Sequence, residues 1–213
     1  MREILAEALV MPVVTLQRVS DAVPLAEALR AGGIEAIEVT LRTPAGLPGI
    51  AAIAKSVPEM IVGAGTVLDL HDLTHARNAG ARFGVSPGLS EEVLAAAVAA
   101  EYPFLPGIAT ASEAMAVLAD GHRVAKLFPA GPLGGIAMAR ALHGPFPTLS
   151  LCPTGGVKAE ALGDWLREPN VVAVGGSWIA GDMEVAAGAW SRIAERAAEA
   201  IAAAAAARGA GSV

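Results

Sequence analysis

Two ionisable residues stand where the sequence predicts burial. Lys126 lies in the run Val124-Ala125-Lys126-Leu127-Phe128, and Glu38 lies between Ile37 and Val39. Removing a lysine from water disfavours its ammonium form unless a carboxylate compensates. As a neutral amine it is a nucleophile toward ketones, which makes a buried lysine a natural Schiff-base former. A glutamate reaching the same cavity supplies the acid and base that carbinolamine formation and carbon-acid chemistry need. The competing reading is a snorkelling lysine and a surface glutamate, which is less apt if both faces of each strand are covered.

Further polar residues fall at the ends of strand-like segments. Gly155 and Gly156 follow one such segment, and Gly175, Gly176 and Ser177 follow the next. Glycines at those two places let backbone N–H groups approach an anion, so together with Ser177 they predict a phosphate site. Either pair alone is also explained by a tight turn that needs positive φ. Arg42 carries a planar fork suited to a carboxylate or phosphate, or is a solvated loop arginine. Thr66 and Thr154 either bind a substrate carboxylate or cap the helices that follow. Thr40 and Ser86 complete the set of strand-end polar residues. His71 and His75 are spaced as half of a zinc pattern, but no Glu follows His71 and no third ligand is evident, so no metal site is predicted.

These residues need a scaffold that gathers strand ends. Eight short apolar runs, VMPVVTL, EAIEVT, MIVGAG, RFGVS, PFLPGI, RVAKLF, LSLCP and VVAVGG, alternate with segments long enough for helices. Eight such units predict a (β/α)₈ TIM barrel with an N-terminal helix, in one domain spanning residues 1–213. A doubly wound open sheet also alternates strand and helix, but no G-x-G-x-x-G follows the first strand. Period-two alternation puts Val124, Lys126 and Phe128 on one strand face, opposite to their immediate neighbours. In a closed barrel the second and sixth strands face one another, so Glu38 and Lys126 can share one cavity.

Composition narrows the class. The 213 residues are 54% hydrophobic and 17% charged, with 15 Lys and Arg against 21 Asp and Glu, giving a net charge of -6. That balance argues against a nucleic-acid partner, which needs a basic footprint. Arg2, Glu3 and Glu7 interrupt any secretion-signal core, and the apolar run Ala200–Ala207 is short of the roughly 20 residues a membrane span needs, so a cytoplasmic address is expected. The run reads instead as a helix ending in a Gly/Ser tail. Cys152 is the sole cysteine, so no internal disulfide forms; it reads as a small core residue.

The strings GIEAIEVTLRTPAGL, IVGAGTVLD, GVSPGLS, LPGIATASE, VAKLFPAG, LCPTGGVK and VGGSWIA occur in an order and spacing similar to that of the bacterial 2-keto-3-deoxy-6-phosphogluconate aldolases. This is the group that also cleaves 4-hydroxy-2-oxoglutarate. The resemblance runs from about Val13 to the final helix. It implies a class I aldolase of the Entner-Doudoroff pathway, a homotrimer of barrels that uses neither a metal nor another cofactor. Its small-molecule partners are a phosphorylated keto acid and pyruvate. By the same resemblance Lys126 is the Schiff-base lysine and Glu38 the general acid and base. Arg42, Thr66 and Thr154 surround the pyruvate carboxylate, Phe128 packs beside the imine, and Gly155, Gly156, Gly176 and Ser177 lie on the phosphate side. Where familiar members read F-P-A-E after the lysine, this chain has Ala130, Gly131 and Pro132, which removes an acidic group from the loop beside the substrate. Two rival functions remain on the same scaffold: a phosphosugar isomerase or synthase without a covalent lysine, and a non-catalytic phospholigand-binding subunit.

Overall fold

The computed structural model describes residues 1–209 as a parallel α/β fold. A short helix α1 (Arg2–Ala8) precedes β1 (Val10–Val14), and the chain then alternates β2 (Ala36–Thr40), β3 (Ile61–Gly65) and β4 (Gly84–Val85) with α2 (Ala22–Ala31), α3 (Gly46–Ser56), α4 (Leu70–Asn78) and α5 (Glu91–Ala99). The segment predicted as one fifth strand is two, β5 (Phe104–Leu105) and β6 (Gly107–Ile108). Pro106 lies between them, and a proline has no N–H with which to continue a ladder. There follow α6 (Ala111–Ala119), β7 (Val124–Leu127), α7 (Ile136–His143), β8 (Ser150–Pro153), α8 (Leu162–Leu166), β9 (Val174–Gly176), α9 (Asp182–Ala186) and α10 (Trp190–Gly209). The Gly/Ser tail expected after the alanine-rich helix lies outside the described residues.

All pairings are parallel. Six strands form a sheet in the order β5-β4-β3-β2-β1-β9 that curls into a half-barrel, and β6-β7-β8 form a second sheet. Contacts at both edges join them. Leu151 of β8 bridges Val171, just ahead of β9, and β5 runs into β6 across Pro106. Nearby, Ser86 accepts a 3.3 Å hydrogen bond at Oγ from the N–H of Gly107. Ser86 is therefore a buried fastener between β4 and β6.

Alternation along each strand divides the apolar residues between two clusters. One face packs on the helices, through residues such as Val39, Val62, Ala125 and Leu151. The other face forms a smaller cluster in which Met11, Ala36, Phe83, Leu105, Val124 and Cys152 meet Leu5 of α1. Glu38 and Lys126 are two residues beyond Ala36 and Val124, so they share the inward face and begin a polar layer above that apolar one. Burial pushes the Cys152 thiol up to about 12, which keeps it an unreactive core group.

Helix starts also lie at this end. Asp69 and Ser90 accept N–H groups at the starts of α4 and α5; at α6 Thr110 Oγ1 accepts the N–H of Glu113, whose carboxylate accepts from the Thr110 hydroxyl and the Ala109 N–H. Gly32 follows α2 where the chain crosses α10: an added Cβ would lie 2.5 Å from that of Ala197. The small residues of α10 therefore serve close packing, and among the described residues no helix is long and apolar enough to cross a membrane.

Candidate active site

A cavity of about 420 Å³ opens where the strands end. Lys126, Arg42, Phe128, Thr154, Gly155 and Gly156 line it, as do Gly176 and Ser177. Eight of the ten site residues read from the sequence thus share one space.

Glu38 is placed differently, in the wall behind Lys126. Its Oε1 is 3.0 Å and its Oε2 3.4 Å from Lys126 Nζ, with side-chain exposures of 2% and 3%. Residues 88 positions apart thus form a buried ion pair. The lysine is dry, as its sequence context predicts, and the carboxylate beside it repays part of its side chain's lost hydration. The Phe128 ring centroid lies 5.3 Å from Nζ, within cation–π range. Room for the carboxylate comes from Gly65: a Cβ there would fall 2.2 Å from Oε1. Gly175 does the same for Thr154, whose Oγ1 would lie 2.3 Å from an added Cβ.

Thr66 reaches the site through Arg42 rather than by lining it. Its Oγ1 accepts a 3.0 Å hydrogen bond from Arg42 Nε, and among the described residues the two terminal nitrogens of the guanidinium have no partner and can meet an anion. Thr66 holds φ at 62°, unusual for a β-branched residue, and this turns its side chain back toward the end of β2.

The Gly155-Gly156 turn has φ of 86° and 75°, which explains both glycines conformationally. Its electrostatics add a second reason. The N–H groups of Gly155 and Gly156 donate to no described residue, while the Thr154 and Gly155 carbonyls accept from Ala130 and Gly131. Two donors at the cavity lining thus have no partner among the described residues while the neighbouring carbonyls are occupied, an arrangement open to an anion. Gly131 belongs to this arrangement, since a Cβ there would come within 3.0 Å of the Gly156 carbonyl oxygen.

Sequence reasoning missed Thr15 and the segment Gly181–Glu184, all of which line the cavity. Thr15 is the polar residue just past β1 and was open to the same strand-end rule that found Thr66 and Thr154. Glu184 carried no such signal; Arg196 hydrogen-bonds it at 2.9 Å and holds its carboxyl below the usual range. On α4, Asp69, His71 and Asp72 offer ligand atoms within 4.8 Å of one another. Both aspartates already accept backbone N–H groups there, and none of the three lines the cavity.

The model of the aldolase family described as KDPG and KHG aldolase matches residues 1–196. The chain belongs to that family. It is therefore a carbon–carbon lyase. The 2-dehydro-3-deoxy-phosphogluconate aldolase of Pseudomonas aeruginosa is 46% identical over 187 residues, covering 88% of this chain and 85% of that one. The KHG/KDPG aldolase of Escherichia coli K12 is 44% identical over 192 residues, 90% of each. Among solved structures, the KDPG aldolase of Legionella pneumophila superposes with a TM-score of 0.91 at 41% identity, covering 93% of this chain and 97% of that one. That structure holds pyruvate captured at low pH as a covalent carbinolamine. For this aldolase, membership sets aside the non-catalytic subunit.

Proposed function

We propose that this aldolase cleaves 2-keto-3-deoxy-6-phosphogluconate to pyruvate and glyceraldehyde 3-phosphate through a Schiff base on Lys126, and 4-hydroxy-2-oxoglutarate to pyruvate and glyoxylate by the same route. The observation that carries the reading is the buried 3.0 Å contact between Lys126 Nζ and Glu38 Oε1 beside a cavity. Passing one proton along that hydrogen bond converts ammonium and carboxylate into amine and acid without separating charge. The match to the KDPG and KHG aldolase family favours this covalent route over a non-covalent isomerase.

The amine adds to the keto carbon, and a proton moves from nitrogen to the new oxygen to give the carbinolamine. The Glu38 acid protonates the hydroxyl, water leaves, and an iminium and a carboxylate remain. Glu38 then takes the proton of the 4-hydroxyl. The bond between the third and fourth carbons breaks, its electrons flow into the iminium, and the aldehyde departs. Glu38 returns its proton to the third carbon of the enamine, and water releases pyruvate and restores the ion pair.

Arg42, steadied by Thr66 and helped by Thr154, holds the substrate carboxylate, and Phe128 flanks the imine. Gly155, Gly156, Gly176 and Ser177 hold the phosphate. The Leu151–Val171 bridge and the β5–β6 continuity support reading the two sheets as arcs of one eight-stranded barrel. A homotrimer, a cytoplasmic address and a place in the Entner-Doudoroff pathway belong to the same proposal, and the family resemblance supports them.

Borohydride reduction in the presence of pyruvate tests it. The expected product is a reduced pyruvyl adduct on the peptide containing Lys126, absent from Lys126→Ala. A folded parent protein that acquires no adduct would overturn the covalent route.

A further inference from the structure

Thr15 stands just beyond β1, half-buried, in the cavity wall. Its Oγ1 is 2.8 Å from Oγ1 of Thr40, the fully buried last residue of β2. Among the described residues, the Thr40 hydroxyl has no other hydrogen-bond partner. One proton serves the pair. Were Thr15 the donor, the Thr40 proton would be buried without an acceptor, at the desolvation cost of an unmade hydrogen bond. Thr40 is therefore the donor, and the Thr15 proton is left over for the cavity.

The substrate has one polar group to match. In the reading above, the carboxylate goes to Arg42, the keto carbon to Lys126, the 4-hydroxyl to Glu38 and the phosphate to the glycine turn and Ser177. The 5-hydroxyl, which becomes the 2-hydroxyl of the released aldehyde, has no partner. Of the other unassigned polar side chains at the cavity, Glu184 is committed to Arg196, and Asp182 is exposed on α9. We propose that Thr15, oriented by Thr40, donates a hydrogen bond to the 2-hydroxyl of the aldehyde and sets the preference for hydroxylated aldehydes of one hand. This inference rests on the Schiff-base reading of Lys126 and Glu38.

The test is aldol addition of pyruvate to D-glyceraldehyde 3-phosphate, to its L enantiomer and to 3-phosphooxypropanal, which lacks the 2-hydroxyl. Losing one hydrogen bond corresponds to about a tenfold change. Thr15→Val is expected to lower the kcat/KM ratio of D-glyceraldehyde 3-phosphate to the deoxy acceptor, and to its L enantiomer, by that factor. Thr15→Ser, which keeps the hydroxyl, retains both ratios, and so does Asp182→Asn. Equal losses on all acceptors, unmoved ratios, or a ratio that moves with Asp182→Asn would overturn the assignment. Deuterium exchange into the pyruvate methyl group by the parent protein separates the two levels. Absent exchange overturns the Schiff-base reading and this inference with it, whereas exchange with unmoved ratios overturns the role of Thr15 alone.

Discussion

Alanine at Gly65 would put a methyl group where the Glu38 carboxylate lies. Its Cβ falls 2.2 Å from Oε1, 2.6 Å from Cγ and 2.8 Å from Cδ. Non-bonded carbon contacts settle at about 3.5 Å or beyond, so the carboxylate must move by roughly 1.3 Å. It cannot advance on Lys126, which is already at 3.0 Å, and β3 is held between β2 and β4. The side chain therefore swings aside and the hydrogen bond to Nζ breaks. General acid–base catalysis contributes about 10² to 10⁴, so kcat is expected to fall at least about a hundredfold. Arg42 and the glycine turn are untouched, and KM should change little. Overpacking also costs about 1–3 kcal/mol of stability. Gly63→Ala is the control, because its Cβ would lie 2.2 Å from Phe83 in the apolar layer below. It should lose similar stability and keep most of its kcat. Steady-state pyruvate release and thermal melts of both variants decide the matter. If Gly65→Ala retains kcat within about twofold, less than any typical acid–base contribution, Glu38 is not the proton shuttle.

The buried ion pair predicts a strong coupling in stability. Lys126→Met leaves the Glu38 charge buried without its partner and should cost about 3–5 kcal/mol, whereas adding Glu38→Gln should recover much of that loss; denaturant titrations of a double-mutant cycle measure it. His122 predicts a pH effect. Burial holds its pKa below the ordinary value, opposed by Asp120, so between that lowered value and about 6.5 the unfolded chain binds more protons than the folded one. Stability should fall as pH drops below about 6.5, and His122→Gln should flatten that slope in melts recorded across the window.

Most strands were legible because short apolar runs bounded by glycine and proline admit few other readings. The exception, PFLPGI, contains its own break: Pro106 is visible in the sequence, but whether a proline ends a strand or sits at a tolerated edge depends on neighbours the local pattern does not show. Strand-end logic picked out Lys126, Arg42, Thr154 and the Gly155-Gly156 turn, and all of them line one cavity. It left Thr66 open between a substrate ligand and a helix cap, and the structure shows its hydroxyl accepting from Arg42 Nε. It noted Ser86 as another strand-end polar residue, and the structure shows its Oγ accepting the N–H of Gly107.

Residue type and period two were enough to mark Lys126 and Glu38 as buried and inward-facing, since both follow from local chain geometry. That they touch, that Gly65 vacates the space in which they do so, and that the Thr40 and Thr15 hydroxyls meet could not be read locally. Each depends on how strands distant in the chain are set beside one another. A contact distance or a hydrogen-bond direction is a relation between such strands, so the fold alone decided it.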